Sequence, residues 1–176
     1  MLLRPDSYKA ALLSEIDKAE RKALKTGIPA LFRLNGTSDI DYTYIIKERP
    51  KSLFYDYSKV LSNVRKNTLA NYDLTYSASM YSKQSRAAFK KAVKAGHRIA
   101  VAFNTKGLAS DELQISHKLA SFDKTDLRHL DDAVIGSLTR KGSSKAVRAA
   151  DNLQANSFFV TAANLVAFND IIAIGG

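Results

Sequence analysis

Polar side chains follow directly after an apolar stretch near the start of the chain. Residues 28–34 are mostly apolar, and the next residues read Asn35-Gly-Thr-Ser-Asp39. This order is typical of a buried parallel strand that ends in a functional loop, because open α/β sheets hold their ligands at the carboxyl ends of the strands. The same residues would equally suit a turn before a helix, with Ser38 or Asp39 as the helix cap. These residues alone leave both interpretations open, and they name no reaction or ligand.

Other predicted strands also end in polar residues. Asp56 and Lys59 come at the end of a predicted strand over 52–57, and Asn104 follows another over 98–103. If these ends converge on one edge of a sheet, they form a polar pocket suited to a small ligand that bears a phosphate. The predicted members of this pocket are Asn35, Thr37, Asp39, Asp56 and Lys59. The alternative is that these strands run out into ordinary polar loops, as in most α/β proteins.

The positive charge of the chain is concentrated in its middle. The net charge is +10, and residues 42–110 carry thirteen Lys and Arg against three Asp and Glu, while the charges of the segments on either side nearly cancel. Seven of the eight tyrosines lie in the same segment. Because cations neutralise phosphates and aromatic rings stack on bases, this combination favours a single-stranded nucleic acid as the partner.

A predicted helix over 83–95 contains several cations and no acidic residue. Lys83, Lys90 and Lys94 fall within roughly 40° of one another around its axis, which is the arrangement of a phosphate-binding stripe. A solvated helix face is the alternative. The predicted phosphate contacts are Lys83, Arg86, Lys90 and Lys94, and the predicted stacking rings are Tyr55, Tyr57 and Tyr76. Strand residues alternate between faces, so some of these rings must belong to the core.

A basic loop follows the last predicted strand. Thr139–Lys145 reads Thr-Arg-Lys-Gly-Ser-Ser-Lys, and its glycine, hydroxyls and cations could cradle a phosphate. The loop lacks the spacing of a P-loop. Arg140, Lys141 and Lys145 therefore join the predicted nucleic-acid contacts.

The composition excludes several functional classes. The chain has no cysteine, which rules out disulfides, thiolate catalysis and Cys-bound metal centres. No apolar run reaches the roughly 18 residues of a transmembrane helix, and no signal-peptide core is present, so we expect a cytoplasmic protein with no membrane partner.

An acidic loop with Asp123, Asp126, Asp131 and Asp132 beside His129 could hold a divalent metal. A solvated loop is favoured, and we predict neither a metal nor another cofactor.

The pattern of elements predicts an α/β fold. An amphipathic helix over 6–26 comes first, and strands over 30–35, 52–57, 72–77 and 98–103 alternate with helices near 59–67 and 83–95. Short links between alternating strands and helices indicate a parallel sheet with right-handed crossovers. Further strands are expected within 113–122 and over 133–138, with one or two helices after residue 146. We predict a single α/β domain over residues 1–176, with a mostly parallel sheet of about six strands and flanking helices. The sheet should resemble an incomplete (β/α) barrel, since a full barrel needs roughly 250 residues.

Five segments carry a resemblance to a known family. They are Arg33-Leu-Asn-Gly-Thr-Ser-Asp-Ile40, Phe54-Tyr-Asp-Tyr-Ser-Lys59, Asn71-Tyr-Asp-Leu-Thr-Tyr-Ser77, Ile99-Ala-Val-Ala-Phe103 and Asp126-Leu-Arg-His-Leu-Asp131. In this order they resemble the gene-product-88-like proteins of phages and plasmids, over residues 6–160. The resemblance implies a radical-SAM-style partial barrel and a phage or mobile-element origin. Longer members carry a cysteine-rich segment before the first helix; this chain has no cysteine, so iron–sulfur and radical chemistry are not expected here.

Three functional hypotheses follow from these features. The first is a phage- or plasmid-encoded nucleic-acid-binding protein that acts in replication or in countering a host defence. The second is an enzyme or small-ligand binder that uses the polar pocket at the strand ends. The third is a protein inhibitor whose basic face docks on a host protein complex. The sequence leaves open whether the chain is an enzyme.

Overall fold

The computed structural model describes residues 5–108, 119–123, 127–131 and 135–175. Its helices are α1 (Pro5–Thr26), α2 (Thr43–Ile46), α3 (Leu61–Lys66), α4 (Lys83–Lys94), α5 (Lys145–Asp151) and α6 (Leu165–Ile172). Its strands are β1 (Leu31–Phe32), β2 (Leu53–Ser58), β3 (Tyr72–Ala78), β4 (Ile99–Phe103), β5 (Ala120–Ser121) and β6 (Ile135–Thr139). In this part of the chain, no helix is both long enough and apolar enough to cross a membrane.

The strands form a parallel sheet in the order β1-β2-β3-β4-β6-β5. The predicted α/β class and the sheet of about six strands are therefore confirmed. Within the described residues, the sheet is not closed into a barrel, as the prediction of an incomplete barrel requires. Residues 113–118 and 133–134, which fall in the two later predicted strands, lie outside the described residues.

The first strand is shorter than the sequence predicts. We expected a strand over 30–35, whereas β1 contains only Leu31 and Phe32. The backbone N–H of Asn35 explains the early end, because it donates to the side chain of Asp56 rather than to a neighbouring strand backbone. The segment after β1 is thus already a loop when it reaches Asn35.

The chain divides into two compact units. The first unit runs to Asp56 and includes Asn67–Asp73, and the second comprises Tyr57–Lys66 and the chain from Leu74 onward. The interpretation of residues 1–176 as one domain stays a prediction.

In the first unit, charged side chains of α1 form ion pairs with the segment that follows α2. Both carboxylate oxygens of Asp17 accept from the Arg49 guanidinium, at 2.7 and 3.1 Å, a bidentate geometry that fixes direction as well as distance. Lys9 pairs with Glu48 in the same segment. Ile16, Ile45 and Ile46 are buried. The N-terminal and middle turns of α1 and the segment that contains and follows α2 therefore supply ion pairs and buried residues within this unit.

The core of the second unit lies between its strands and the helices α4 and α6. Phe168 of α6 contacts Phe103 of β4 edge-on, with ring centroids 5.3 Å apart, and Phe89 of α4 at 6.0 Å. All three rings are fully buried. In β4, Ile99, Ala100 and Val101 are buried in succession, as expected for a strand covered on both faces.

A tight contact joins the last two strands of the second unit. An added Cβ at Gly136 in β6 would lie 2.1 Å from the ring of Phe122, which follows β5. The Phe122 ring also contacts Arg128, whose guanidinium carbon lies 3.9 Å from the ring centroid and which pairs with Asp131 at 3.0 Å. Because Gly136 has no side chain, the Phe122 ring can pack directly against the backbone of β6.

Candidate functional site

In the first unit, the predicted pocket residues Asn35 and Asp56 lie in direct contact. The Asn35 N–H donates to Oδ1 of Asp56 at 2.8 Å, and the Tyr72 hydroxyl donates to Oδ2 at 3.2 Å. Asp56 is 1% exposed. Both oxygens are therefore satisfied inside the protein, and this carboxylate ties three chain segments together.

The Asn35 side chain builds the loop that follows β1. Its Oδ1 accepts from the Ser38 hydroxyl at 2.8 Å and from the Ile40 N–H at 3.0 Å, while its Nδ2 donates to the Ile40 carbonyl at 2.9 Å. Thr37 and Asp39, two further predicted pocket residues, are exposed on this loop. The polar cluster in the sequence is thus mainly a self-bonded loop, as the turn interpretation predicts. The predicted helix cap at Ser38 or Asp39 is wrong, because the next helix, α2, begins only after Tyr42.

Burial governs the ionisation of this cluster. Desolvation raises the pKa of Asp56 above its usual value, although the hydrogen bonds from Asn35 and Tyr72 and the charge of Arg33 oppose the shift. Burial also raises the pKa of Tyr72, with the Asp56 charge adding to the effect. Nearby, the hydroxyls of Tyr8 and Tyr42 are 2.9 Å apart, and this hydrogen bond, together with burial, raises the pKa of Tyr42 to about 12.

The fifth predicted pocket residue, Lys59, belongs to the second unit. Its ammonium lies 4.9 Å from the ring centroid of Phe158, a cation–π contact. The sequence predicts that Lys59 lies in a polar pocket, whereas in the second unit its ammonium lies over the ring of Phe158.

The lysines predicted on one face of α4 are exposed. Lys83, Lys90 and Lys94 point away from the buried Phe89, Ala92 and Val93 of the same helix. Among the described residues, none of these three ammonium groups has a hydrogen-bond or ion-pair partner. We call Lys83, Lys90 and Lys94 the lysine face.

Arg86 is not part of the lysine face. Its Nη1 donates to the Met80 carbonyl at 2.8 Å and to Asn156 Oδ1 at 3.2 Å. These bonds hold the guanidinium against the segment before α4 and against Asn156. These two hydrogen bonds give Arg86 a structural role, and its assignment as a phosphate contact stays a prediction.

The tyrosines predicted to stack on bases are less available than expected. Tyr76 is 2% exposed and lies in the core of the second unit, so its ring cannot meet a base; this assignment is corrected. Tyr55 and Tyr57 are half-buried. By contrast, Tyr81 is 65% exposed and stands two residues before Lys83. Sequence reasoning missed Tyr81, although its place just ahead of the Ser82 helix cap signals a loop position.

A second polar cluster lies where β4 and β6 end. Arg140 forms an ion pair with Asp151 and donates to Asn104 Oδ1 at 3.0 Å. Asn104 is fully buried, and its Nδ2 donates to the Arg148 carbonyl at 2.6 Å and to Asn152 Oδ1 at 2.9 Å. The Arg140 guanidinium also lies 4.6 Å from the ring centroid of Phe159. Arg140 is thereby fixed in position.

A cavity of about 480 Å³ opens beside Arg140. It is lined by Ala102, Asp123, Leu138, Thr139, Arg140, Lys141, Ser143 and Phe159. The Thr139 N–H donates to Asp123 Oδ2 at 2.9 Å, and Lys141 Nζ lies 3.5 Å from Asp123 Oδ1. Lys145, the remaining basic residue predicted in this loop, is exposed at the start of α5. The sequence indicated the cations of this loop but not the cavity or Phe159.

The acidic loop considered as a metal site is only partly described. Asp126, Asp132 and the side chain of His129 lie outside the described residues. Asp123 and Asp131 are engaged by Lys141 and Arg128, respectively. Within the described ranges, no group of three or more His, Asp or Glu residues is placed to hold a metal ion.

A comparison with protein families decides what the chain is related to. The sequence model of a family described as Gene product 88 matches residues 1–156. The chain belongs to the Gene product 88 family. The resemblance to phage proteins inferred from the sequence is therefore confirmed. The match includes the Asn35 loop, the lysine face and Arg140 of this Gene product 88 protein, and it stops before Phe159. Searches of curated proteins and of solved structures found no match.

Proposed function

We propose that this Gene product 88 protein binds nucleic acid, with a preference for single strands, and acts in phage replication or in countering a host defence. Its place of action would be the host cytoplasm. The observation that carries the proposal is the lysine face: three exposed ammonium groups on one helix, with no partner among the described residues.

Charge without local compensation is what phosphate binding requires. A lysine already paired with a carboxylate must give up that pair before it can neutralise a phosphate, whereas an unpaired lysine releases only solvent and counterions. α4 contains no acidic residue, so the charges of the lysine face are not cancelled within the helix. Tyr81, exposed beside the first lysine, supplies a ring on which a base can stack.

The proposal is tested by fluorescence-anisotropy binding of labelled single- and double-stranded DNA and RNA at several salt concentrations. The informative variant changes Lys83, Lys90 and Lys94 to Gln. The matched control changes Arg21, Lys22 and Lys25 to Gln; these three cations are exposed on α1, and the change in net charge is the same.

We expect wild type and control to bind with a steep salt dependence. The lysine-face variant should bind more weakly, with a logarithmic salt slope smaller by about 2, since each lost contact with a single strand removes about 0.7. Equal losses in both variants would mean that only overall charge matters. No binding at low salt would refute the proposal.

The protein-inhibitor hypothesis draws on the same lysine face. In that case the lysines would meet carboxylates of a host protein rather than phosphates. The two hypotheses separate in the same experiment, because an inhibitor would show no salt-dependent binding to the oligonucleotides.

A further inference from the structure

We propose that the cavity beside Arg140 receives one unpaired nucleotide of the bound strand, with the base against Phe159 and the phosphate toward Lys141. This inference rests on the proposed nucleic-acid binding and assigns a distinct part of it to the second unit. Three features that line one cavity support the inference: apolar side chains, the fixed guanidinium of Arg140 and the exposed ammonium of Lys141.

The floor of the cavity is apolar and rigid. Ala102 and Leu138 are register partners in the parallel strands β4 and β6, so a backbone ladder holds them side by side. The Phe159 ring lines the same cavity and is supported edge-on by Phe158, with ring centroids 5.3 Å apart. The volume of about 480 Å³ falls within the range of small-ligand sites. A flat heteroaromatic base fits such a surface better than a flexible chain does.

Arg140 adds a second flat surface whose orientation is fixed before any ligand arrives. The ion pair with Asp151 and the hydrogen bond to the buried Asn104 hold the guanidinium over Phe159. Bases stack on guanidinium planes as they do on aromatic rings. Because Arg140 is already immobile, a base that stacks there does not have to order it.

Lys141 is placed to contact a phosphate at the mouth of the cavity. Its side chain is 80% exposed, and its 3.5 Å contact with Asp123 is a surface ion pair, which is weak and readily exchanged. The hydroxyl-bearing Thr139 and Ser143 line the same opening.

The charges of the cavity limit which phosphate compounds suit it. Arg140 is balanced by Asp151, and Lys141 stands beside Asp123. Two cations against two carboxylates favour a group with little negative charge, such as one nucleotide within a strand. A nucleoside triphosphate would bring more charge than the site can neutralise.

The test uses chemical-shift mapping of the full ¹⁵N-labelled chain with 5′-AMP, adenosine, ATP and inorganic phosphate as probes. We expect 5′-AMP to shift the amide signals of residues 138–143 and of Phe159, and to bind more tightly than adenosine, inorganic phosphate or ATP. Phe159→Leu should weaken 5′-AMP binding roughly tenfold, the loss expected for one base–aromatic stacking contact. Lys141→Ala, a change at an exposed side chain that keeps the fold, should weaken 5′-AMP binding and leave adenosine binding unchanged.

The lysine-face variant separates this inference from the proposed function. It should lose oligonucleotide affinity and keep 5′-AMP binding, whereas Phe159→Leu should keep the salt slope for oligonucleotides and lose the preference for single over double strands. If 5′-AMP shifts no signals around the cavity, or if both cavity variants bind it as tightly as wild type, the inference is overturned. Oligonucleotide binding by the lysine face would stand regardless. If 5′-AMP binds while oligonucleotides do not, the cavity serves a free nucleotide and the assignment to a strand is wrong.

Discussion

The backbone N–H of Asn35 lies 2.8 Å from the Asp56 carboxylate, although 21 residues separate the two along the chain. The Asp56 side chain therefore accepts the hydrogen bond that the backbone carbonyl of a neighbouring strand accepts elsewhere in a sheet. The arrangement closes β1 early and starts a loop that Asn35 then organises with its own amide. Asp56 is buried, so its ionised form lowers the free energy of unfolding, and the fraction that is ionised depends on pH.

The first prediction concerns that pH dependence. Burial raises the pKa of Asp56 in the folded protein above the usual 3.8. Between these two values the folded state binds more protons than the unfolded state, so stability falls as pH rises through this window and is level above it. Asp56→Asn should remove this slope and raise the free energy of unfolding at neutral pH, because the amide oxygen can still accept from Asn35. Urea unfolding at a series of pH values measures it.

The control for Asp56 is Asp170→Asn, a change at an exposed carboxylate on α6. This control removes one carboxylate charge at an exposed position, so the two variants differ in the burial of the group that is changed. Lower stability of Asp56→Asn at neutral pH would show that the carboxylate charge stabilises the fold, contrary to the prediction.

The second prediction concerns the Asn35 loop. Asn35→Ala removes three side-chain hydrogen bonds within the loop and leaves the Ile40 N–H and carbonyl without that partner. We expect a loss of about 1–3 kcal/mol in the free energy of unfolding, measured by urea denaturation, with faster proteolytic cleavage near residues 36–40. Ser38→Ala, which removes only one of the three bonds, should cost clearly less. Equal costs would mean that the loop is not built around Asn35.

The third prediction concerns the contact between Gly136 and Phe122. A Cβ at position 136 would overlap the Phe122 ring, so Gly136→Ala must displace that ring and should destabilise the protein by about 1–3 kcal/mol. Gly107→Ala is the matched control, because among the described residues no atom beyond its chain neighbours lies within 4 Å of the added Cβ there. Thermal unfolding monitored by circular dichroism compares the two variants. A Gly136→Ala protein as stable as the control would place Phe122 elsewhere.

The fourth prediction concerns the hydrogen-bonded pair Tyr8 and Tyr42. Because the pKa of Tyr42 is raised to about 12, the folded state keeps its proton longer than the unfolded state does. The pair therefore contributes stability that is lost as pH rises from 10 toward 12. Tyr8→Phe should lower the titration midpoint of Tyr42, followed by the ultraviolet absorbance of tyrosinate while circular dichroism reports the folded state. Tyr81→Phe, at an exposed ring, should leave that midpoint unchanged.

The sequence predicted the elements of the second unit well because each has its own local signal. The period of apolar residues and the Ser82 cap define α4, and the apolar run from Ile99 to Phe103 defines β4. Loop boundaries were less predictable. Where β1 ends depends on Asp56, which lies 21 residues away and leaves no mark near Asn35.

Side-chain roles at the site were harder to predict than elements. The interpretation of Tyr76 as a stacking ring is wrong, because a parallel strand is covered on both faces and alternation does not tell which rings reach solvent. The prediction for Arg86 rests on its place in the same basic helix, and the sequence does not show that its partner Asn156 lies 70 residues away. Phe159 carries no sequence signal beyond its hydrophobicity, and only folding brings it to Arg140.

The central position of β4 has a consequence for how the protein opens. All five residues from Ile99 to Phe103 pair with β6, and Ile99, Ala100 and Val101 also pair with β3. Amide protons in such a strand exchange with solvent only when neighbouring strands separate, so β4 belongs to the slowest-exchanging part of the second unit. Asn104, which accepts a hydrogen bond from Arg140, follows directly on this strand. The part of the cavity wall that Ala102 forms therefore belongs to the segment that opens last.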